Sequence, residues 1–487
     1  MTAPETRSGL DPWKGAELPV PPAPRGLAWI GTVGPGVIVL GASIGSGEFL
    51  LGPAAFVKYG LALLWVTTVA AFLQTVFNTE LMRYTMATGE PIFTGFMRTR
   101  PNSTFWAWSY ALLYFLQVGW PGWAGAAAGA IYFLASGELA GAEDSSAVYA
   151  IGVATFLACV GILLLGRRIE RTLEILNWVL VIVILGGFLL LALLLVAPGT
   201  WLAALAGLAG FDLESQSFVF LPEGADFFLI GAFAAYSGAG GVINLTLSNW
   251  ARDKGYGMAQ HAGYIPAAVG GRRVTLAHTG FRLAMTPQAL ERWRGWWRIV
   301  RADQWGVYFT GALLGMALPA LLYVSFLPAG TDIRGLGIAA ALAQAVGEHS
   351  GRLLAVGIAF LGAWILFKTQ LDILDGTTRV VTDIIWTGSR RVRAREGIDV
   401  RAVYYGVLAA VVVWGVIALR LTQPIVLLQL GANMAGIVFV IASLHLLYVN
   451  TRLLPEEIRP PLWRRIALVG TAFFYGSFVT LWVTSLI

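Results

Sequence analysis

The sequence predicts an all-α polytopic membrane protein, and three observations carry that reading. Of 487 residues, 57% are apolar and 12% charged, a balance far from that of soluble domains. The apolar residues fall in runs of about 20, the length a helix needs to cross a hydrocarbon core of about 30 Å. Basic residues gather on alternate connecting segments, as the positive-inside rule requires. No ten-residue alternation of the kind used by membrane barrels is present.

Residues 1–28 are a polar, proline-rich tail without the apolar stretch of a cleavable signal, so the first span is expected to direct insertion itself. Eleven spans follow, at about 29–57, 60–87, 104–136, 146–165, 174–197, 225–249, 304–327, 351–388, 402–419, 424–449 and 463–486. Residues 29–449 form a core of ten spans with a basic loop at 250–303, and 450–487 add a connector and span 11. With the amino terminus inside, 26 Lys and Arg residues fall on inner segments and 4 on outer ones, Lys58, Arg334, Arg352 and Arg420. This places a multi-pass protein in the plasma (inner) membrane with a cytoplasmic amino terminus. The excess of basic residues therefore marks topology and lipid contact, and no nucleic-acid partner is expected. The loop ends in a basic, tryptophan-rich helix, 286–301, expected to lie on the inner membrane surface.

Spans 1 and 6 break the helical pattern. Span 1 contains "GASIGSGEFLLGP", with Gly45, Ser46 and Gly47 followed by Glu48. Span 6 contains "YSGAGG", with three glycines after Tyr236 and Ser237. Irregular backbone at membrane depth survives where it is buried or lines a wet cavity. Spans 1 and 6 open two successive groups of five, and paired interruptions of this kind point to an inverted-repeat transporter with a mid-membrane site. Small residues that merely let helices approach are the competing explanation. That explanation does not account for Glu48, because a carboxylate at mid-membrane is costly and marks a functional site by default.

Other intramembrane polar groups are expected to pair. Span 8 places Lys368, Asp372, Asp375, Arg379 and Asp383 at helical spacings of three and four, a stripe of ion pairs beside the inner exit that could gate it. On span 2, Glu80 is expected to partner Arg83 or a neighbouring helix. The four histidines and the single Cys159 form no metal-ligand cluster. With no nucleophile or base constellation either, an enzyme is not expected, and no cofactor beyond a transported cation.

Several segments together resemble the NRAMP family of divalent-metal transporters. "GPG" at Gly34 to Gly36, "YGLALLWV" at 59–66, "FLQ" and "MATG" in span 2, and "TQPIVLLQL" in span 10 carry the likeness. The resemblance implies a LeuT-type 5+5 inverted repeat with an eleventh span, spans 1 and 6 discontinuous, and alternating access. The family's Asp-Pro-Gly-Asn metal motif falls on Gly45, Ser46, Gly47 and Glu48, of which the third agrees. Gly231 and Ala232 match the Gly-Ala opening the family's span 6 motif, whose Met-Pro-His falls on Ala235, Tyr236 and Ser237. Gln429 takes the place of a site-facing glutamine, and Asn433 follows four residues later.

This chain thus departs from the family in its aspartate, methionine and histidine. The resemblance implies an oxygen site instead, from Glu48, the Ala232 carbonyl, Gln429, the Ser46 and Ser237 hydroxyls and carbonyls freed at the breaks. Loss of the thioether weakens discrimination in favour of Mn, Fe or Cd and favours a hard cation such as Mg²⁺, so the expected cargo is a hard divalent metal, Mg²⁺ or Mn²⁺. Span 3 also lacks the acids, and span 9 the arginine, of the family's proton machinery, a similarity to NRAMP-related magnesium transporters. A small amine or amino acid is the alternative cargo, with Tyr236 offering an aromatic face.

Overall fold

A computed structural model describes residues 8–165, 168–269, 274–331, 333, 338–395, 397–421 and 424–486. Of the residues used above, Arg7, Arg167, Arg272, Arg273, Arg334, Thr422 and Gln423 lie outside the described residues, as does the side chain of Ser46. The chain is an all-α polytopic fold in which nine helices among the described residues are long and apolar enough to cross a membrane. They are spans 1 (Pro35–Tyr59), 2 (Leu61–Thr88), 4 (Ala142–Leu163), 5 (Ile169–Leu195), 7 (within Pro287–Phe326), 8 (Arg352–Gly388), 9 (Val400–Ala418), 10 (Ile425–Arg452) and 11 (Leu462–Thr484). The two remaining spans, 3 and 6, each consist of two shorter helices.

Span 6 opens where the sequence predicts, between Phe227–Ala235 and Val242–Lys254. Gly238, Gly240 and Gly241 take φ of +120°, +86° and +50° there, a region that side-chain-bearing residues avoid. Span 3, expected as one helix, is split into Ser103–Val118 and Gly122–Ser136. Pro121 has no N–H to continue the ladder, and the freed Gly119 carbonyl accepts from Trp414 Nε1 at 2.7 Å.

Span 1 departs from α geometry differently from the sequence expectation. Its middle, Ile44–Leu51, stays helical but widens to π winding, with the Gly52 N–H bonded to the Gly47 carbonyl. Gly47 lies directly against the Tyr236 backbone carbonyl, closer than any Cβ could be. The glycines at this level therefore serve packing as well as winding, since Gly41 abuts Asn177 and Lys368 and Gly45 abuts Thr369.

The basic helix of the long loop is continuous with span 7. Pro287–Arg301 runs through a π stretch, Ala302–Phe309, straight into Thr310–Phe326, so one 40-residue rod forms the loop's end and span 7. Trp297 of this rod lies under the guanidinium groups of Arg83 and Arg464, 4.2 and 5.0 Å from the ring centre. Both arginines meet Glu80, at 2.7 and 3.1 Å. The amino-terminal tail crosses the same face, pairing Lys14–Ala16 in parallel with Phe281–Leu283. Its carbonyls at Leu18 and Pro19 accept from Arg292 and Trp296 of the rod, at 2.7 and 2.9 Å.

Candidate functional site

Broken backbone inside a membrane must find partners within the protein. At span 6 they come from side chains of spans 2, 3 and 7. Gln74 Nε2 donates to the Ser237 carbonyl at 3.1 Å and to Tyr475 Oη at 2.8 Å. Its Oε1 accepts from Tyr308 Oη at 2.7 Å and Asn244 Nδ2 at 3.2 Å. Tyr308 Oη accepts in turn from the Ala239 N–H at 3.1 Å. Gln117 bridges the far side of the gap, donating to the Gly240 carbonyl at 2.8 Å and accepting from the Val242 N–H at 2.9 Å. The Ser237 and Gly240 carbonyls at the break are thus already bonded. The Ala232 carbonyl likewise accepts from the Tyr236 N–H at 3.1 Å.

The side chains singled out in the sequence divide into two groups. Ser237 Oγ donates to the Phe233 carbonyl at 2.9 Å and lies 3.3 Å from Thr67 Oγ1. Asn433 Nδ2 donates to the carbonyls of Phe228 and Gln429, both at 2.9 Å, which fixes it beside the first half of span 6. The Ser237 hydroxyl and the Asn433 amide nitrogen are spent on the fold. Glu48, Tyr236 and Gln429 are not, because Glu48 Oε1 and Oε2, Tyr236 Oη and Gln429 Nε2 are buried without hydrogen-bond partners among the described residues. Trp123 Nε1, on the second half of span 3, is in the same position, and its ring centre is 6.5 Å from that of Tyr236.

Spans 1 and 6 meet where Glu48 and Tyr236 stand. Gly47 touches the Tyr236 carbonyl, which places Glu48 one residue from the span 6 break. Ala235 precedes that break, and its carbonyl faces Gly240. The Glu48 side chain lies against Gly315 of span 7. The Tyr236 hydroxyl points toward Gly431 of span 10, two residues after Gln429. Stranded buried polar atoms are rare in native folds and each asks for a partner, whether water, an ion or a ligand.

The span 8 stripe is paired as the spacing predicts, with additions. Lys368 Nζ meets Asp372 Oδ2 at 3.3 Å and donates to Asn177 Oδ1 at 2.9 Å. Asn177 Nδ2 closes the triangle on Asp372 Oδ1 at 3.0 Å, and Thr369 Oγ1 donates to the Gly41 carbonyl at 3.2 Å. Span 8 thereby holds span 1 just ahead of its π segment. Lower on the stripe, Arg379 pairs with Asp375 at 2.9 Å and with Asp253 of span 6. Asp383, an expected partner of Arg379, pairs instead with Arg252 at 2.5 Å. Tyr404 Oη and Trp250 Nε1 also donate to Asp375, at 2.7 and 2.9 Å.

Sequence reasoning missed Gln117, Trp123, Tyr308 and Asp303. Gln117 and Tyr308 bond the backbone of the span 6 break and Trp123 lies beside Tyr236, and only the run "GWPGW" around Trp120 hinted that span 3 bends there.

No family model matches the chain, and no curated protein matches it in sequence. Its backbone is similar to solved transporters. One is the Eremococcus coleocola manganese transporter, seen with an aromatic bis-isothiourea compound, at a TM-score of 0.61 and 16% identity over 95% of this chain and 89% of that one. A second structure of that transporter, a histidine-to-alanine mutant, gives 0.63 at 15% identity over 98% and 90%. MhsT in complex with L-phenylalanine gives 0.50 at 13% identity over 97% and 100%. At these identities the likeness establishes the fold, which is LeuT-type.

Proposed function

We propose that this chain is a secondary-active transporter that moves a cation by alternating access, its amino terminus on the cytoplasmic side of the plasma membrane. Glu48 carries the proposal, as a buried carboxylate at the π segment of span 1 with both oxygens unpartnered among the described residues. Burying a charge without a partner costs several kcal/mol, roughly, in real proteins, and a cation arriving there would offset that cost. The cargo is a hard divalent ion, Mg²⁺ or Mn²⁺, held by Glu48 and retained waters with the Gln429 amide as a further ligand. The manganese transporter among the structural neighbours supports the metal reading. The span 8 ion pairs, Lys368 with Asp372 and Arg379 with Asp375, hold spans 1 and 6 and gate the inner side.

A second reading has its own observation. Trp123 Nε1 is a donor only, and with Tyr236 Oη it forms an aromatic pair suited to an organic cation or amino acid rather than to a bare metal ion. MhsT, solved with L-phenylalanine, supports this alternative. Uptake into proteoliposomes of Mg²⁺, Mn²⁺ and a panel of amines and amino acids, with Glu48→Gln in parallel, decides between them. Metal uptake by the parent chain that is lost in Glu48→Gln is the expected result. Metal uptake that survives the substitution would remove Glu48 from the site, and amine uptake without metal uptake would establish the second reading.

A further inference from the structure

The entry of span 1, residues 32–36, is held by side chains of spans 6 and 7 and of the loop between them. Asp303 accepts from the Gly34 and Gly36 N–H groups, each at 2.8 Å, and its outer oxygen also accepts from Gln304 Nε2 at 2.8 Å. Tyr256 Oη donates to the Thr32 carbonyl at 2.9 Å. Lys254, at the end of span 6, reaches the Val33 carbonyl at 3.4 Å and pairs with Glu174 of span 5. Glu174 is also paired with Arg171, which is half-exposed. One helical turn before Glu174 on the same face stands Glu170, 2% exposed, with Oε1 buried and unpartnered among the described residues.

The charges at this point do not balance if every acid is ionised. Lys254 pairs with Glu174 and lies within electrostatic reach of Glu170 and Asp303, with Asp253 already taken by Arg379 and Arg252 and with Arg171 reaching in from the surface. Two carboxylates one turn apart in a buried site raise the cost of the second charge. A stranded carboxylate oxygen there is satisfied most cheaply by a proton.

We propose that Glu170 is a proton-binding site that latches the entry of span 1. With the proton on Glu170, Glu174 has Lys254 to itself, and Lys254 holds the Val33 carbonyl. Release of the proton to water on the tail side leaves a second negative charge that competes for Lys254 and draws water into the site, which frees the span. The inference rests on the transport reading for its purpose, and its test does not depend on any cargo.

The test is maleimide labelling of Val33→Cys in the full chain in lipid nanodiscs, each rate divided by that of Arg25→Cys in the exposed tail at the same pH. Val33 is 5% exposed, so labelling reports opening of the latch. The normalised rate is expected to rise several-fold from about pH 5.5 to about pH 8.5, and to stay at its low-pH value throughout in the Glu170→Gln background. Glu174→Gln, which strips Lys254 of its partner, is expected to label fast at every pH. A rate that does not change with pH in the parent, or the same rise in Glu170→Gln, overturns the proposal. So does slow labelling in Glu174→Gln. Normal latch behaviour without uptake of any cargo would instead count against the transport reading alone.

Discussion

Replacing Gln74 by leucine should unfasten the break in span 6. The amide links the Ser237 carbonyl, Tyr308, Tyr475 and Asn244, all buried, so leucine strands several polar groups that no water can reach. A buried donor or acceptor left without its partner costs about 1–3 kcal/mol. The two groups whose one hydrogen bond among the described residues is to Gln74, the Ser237 carbonyl and the Tyr475 hydroxyl, give about 2–6 kcal/mol together. The lower half of that range applies if Asn244 swings across to replace one bond. The assay is loss of monodisperse protein on heating in detergent, at one fixed heating rate because unfolding of such proteins is rate-governed. Gln344→Leu is the control, since its side-chain hydrogen bond to Glu348, at 3.1 Å, is exposed. The midpoint of Gln74→Leu should fall by several degrees and that of Gln344→Leu should not move. Midpoints for Gln74→Leu and the parent within about 1 °C of each other would refute the account of how this backbone is satisfied.

Further substitutions probe the charged groups. Arg379→Met leaves Asp375 and Asp253 buried without their shared cation, a loss of about 3–5 kcal/mol, and should abolish recovery of folded protein; Arg379→Lys, which cannot span both acids as a fork, should fall between. Outside the spans, burial would raise the Glu90 carboxyl, but Arg98, bonded to it at 2.5 and 2.8 Å, holds it below the usual carboxylate range. A lowered folded-state value means that this stability is complete above the unfolded-state value and is lost as pH falls through the folded one. Glu90→Gln should therefore lower the heating midpoint at neutral pH, and the difference from the parent should close in acid below the ordinary range.

What the sequence made legible follows from the range of the forces involved. Span positions rest on composition over about 20 residues, and the pairs Lys368–Asp372, Arg379–Asp375 and Glu80–Arg83 rest on helical spacing, so all were visible locally. Partners contributed by other spans were not. Asp253 meets Arg379 across 126 residues and Asp303 reaches Gly34 across 269, and no local pattern signals either. The glycines in "GSGEF" announced a departure from α geometry without saying which one. A widened helix and an open break share the same residues, and the choice is made by the Tyr236 carbonyl pressing on Gly47. The split in span 3 was the opposite case, a signal present in Gly119 and Pro121 but outweighed by the apolar run around it.

The rod that joins the basic helix to span 7 has a mechanical consequence. From Pro287 to Gly315 it extends on the order of 40 Å as uninterrupted helix, with the tail fastened near its start by Trp296 and the Glu48 side chain resting on Gly315 farther along. A flexible loop would dissipate a push at the surface. A helix transmits it as a change of tilt, so whatever presses on the tail or on Trp297 is felt, undiminished by slack, at the wall behind Glu48.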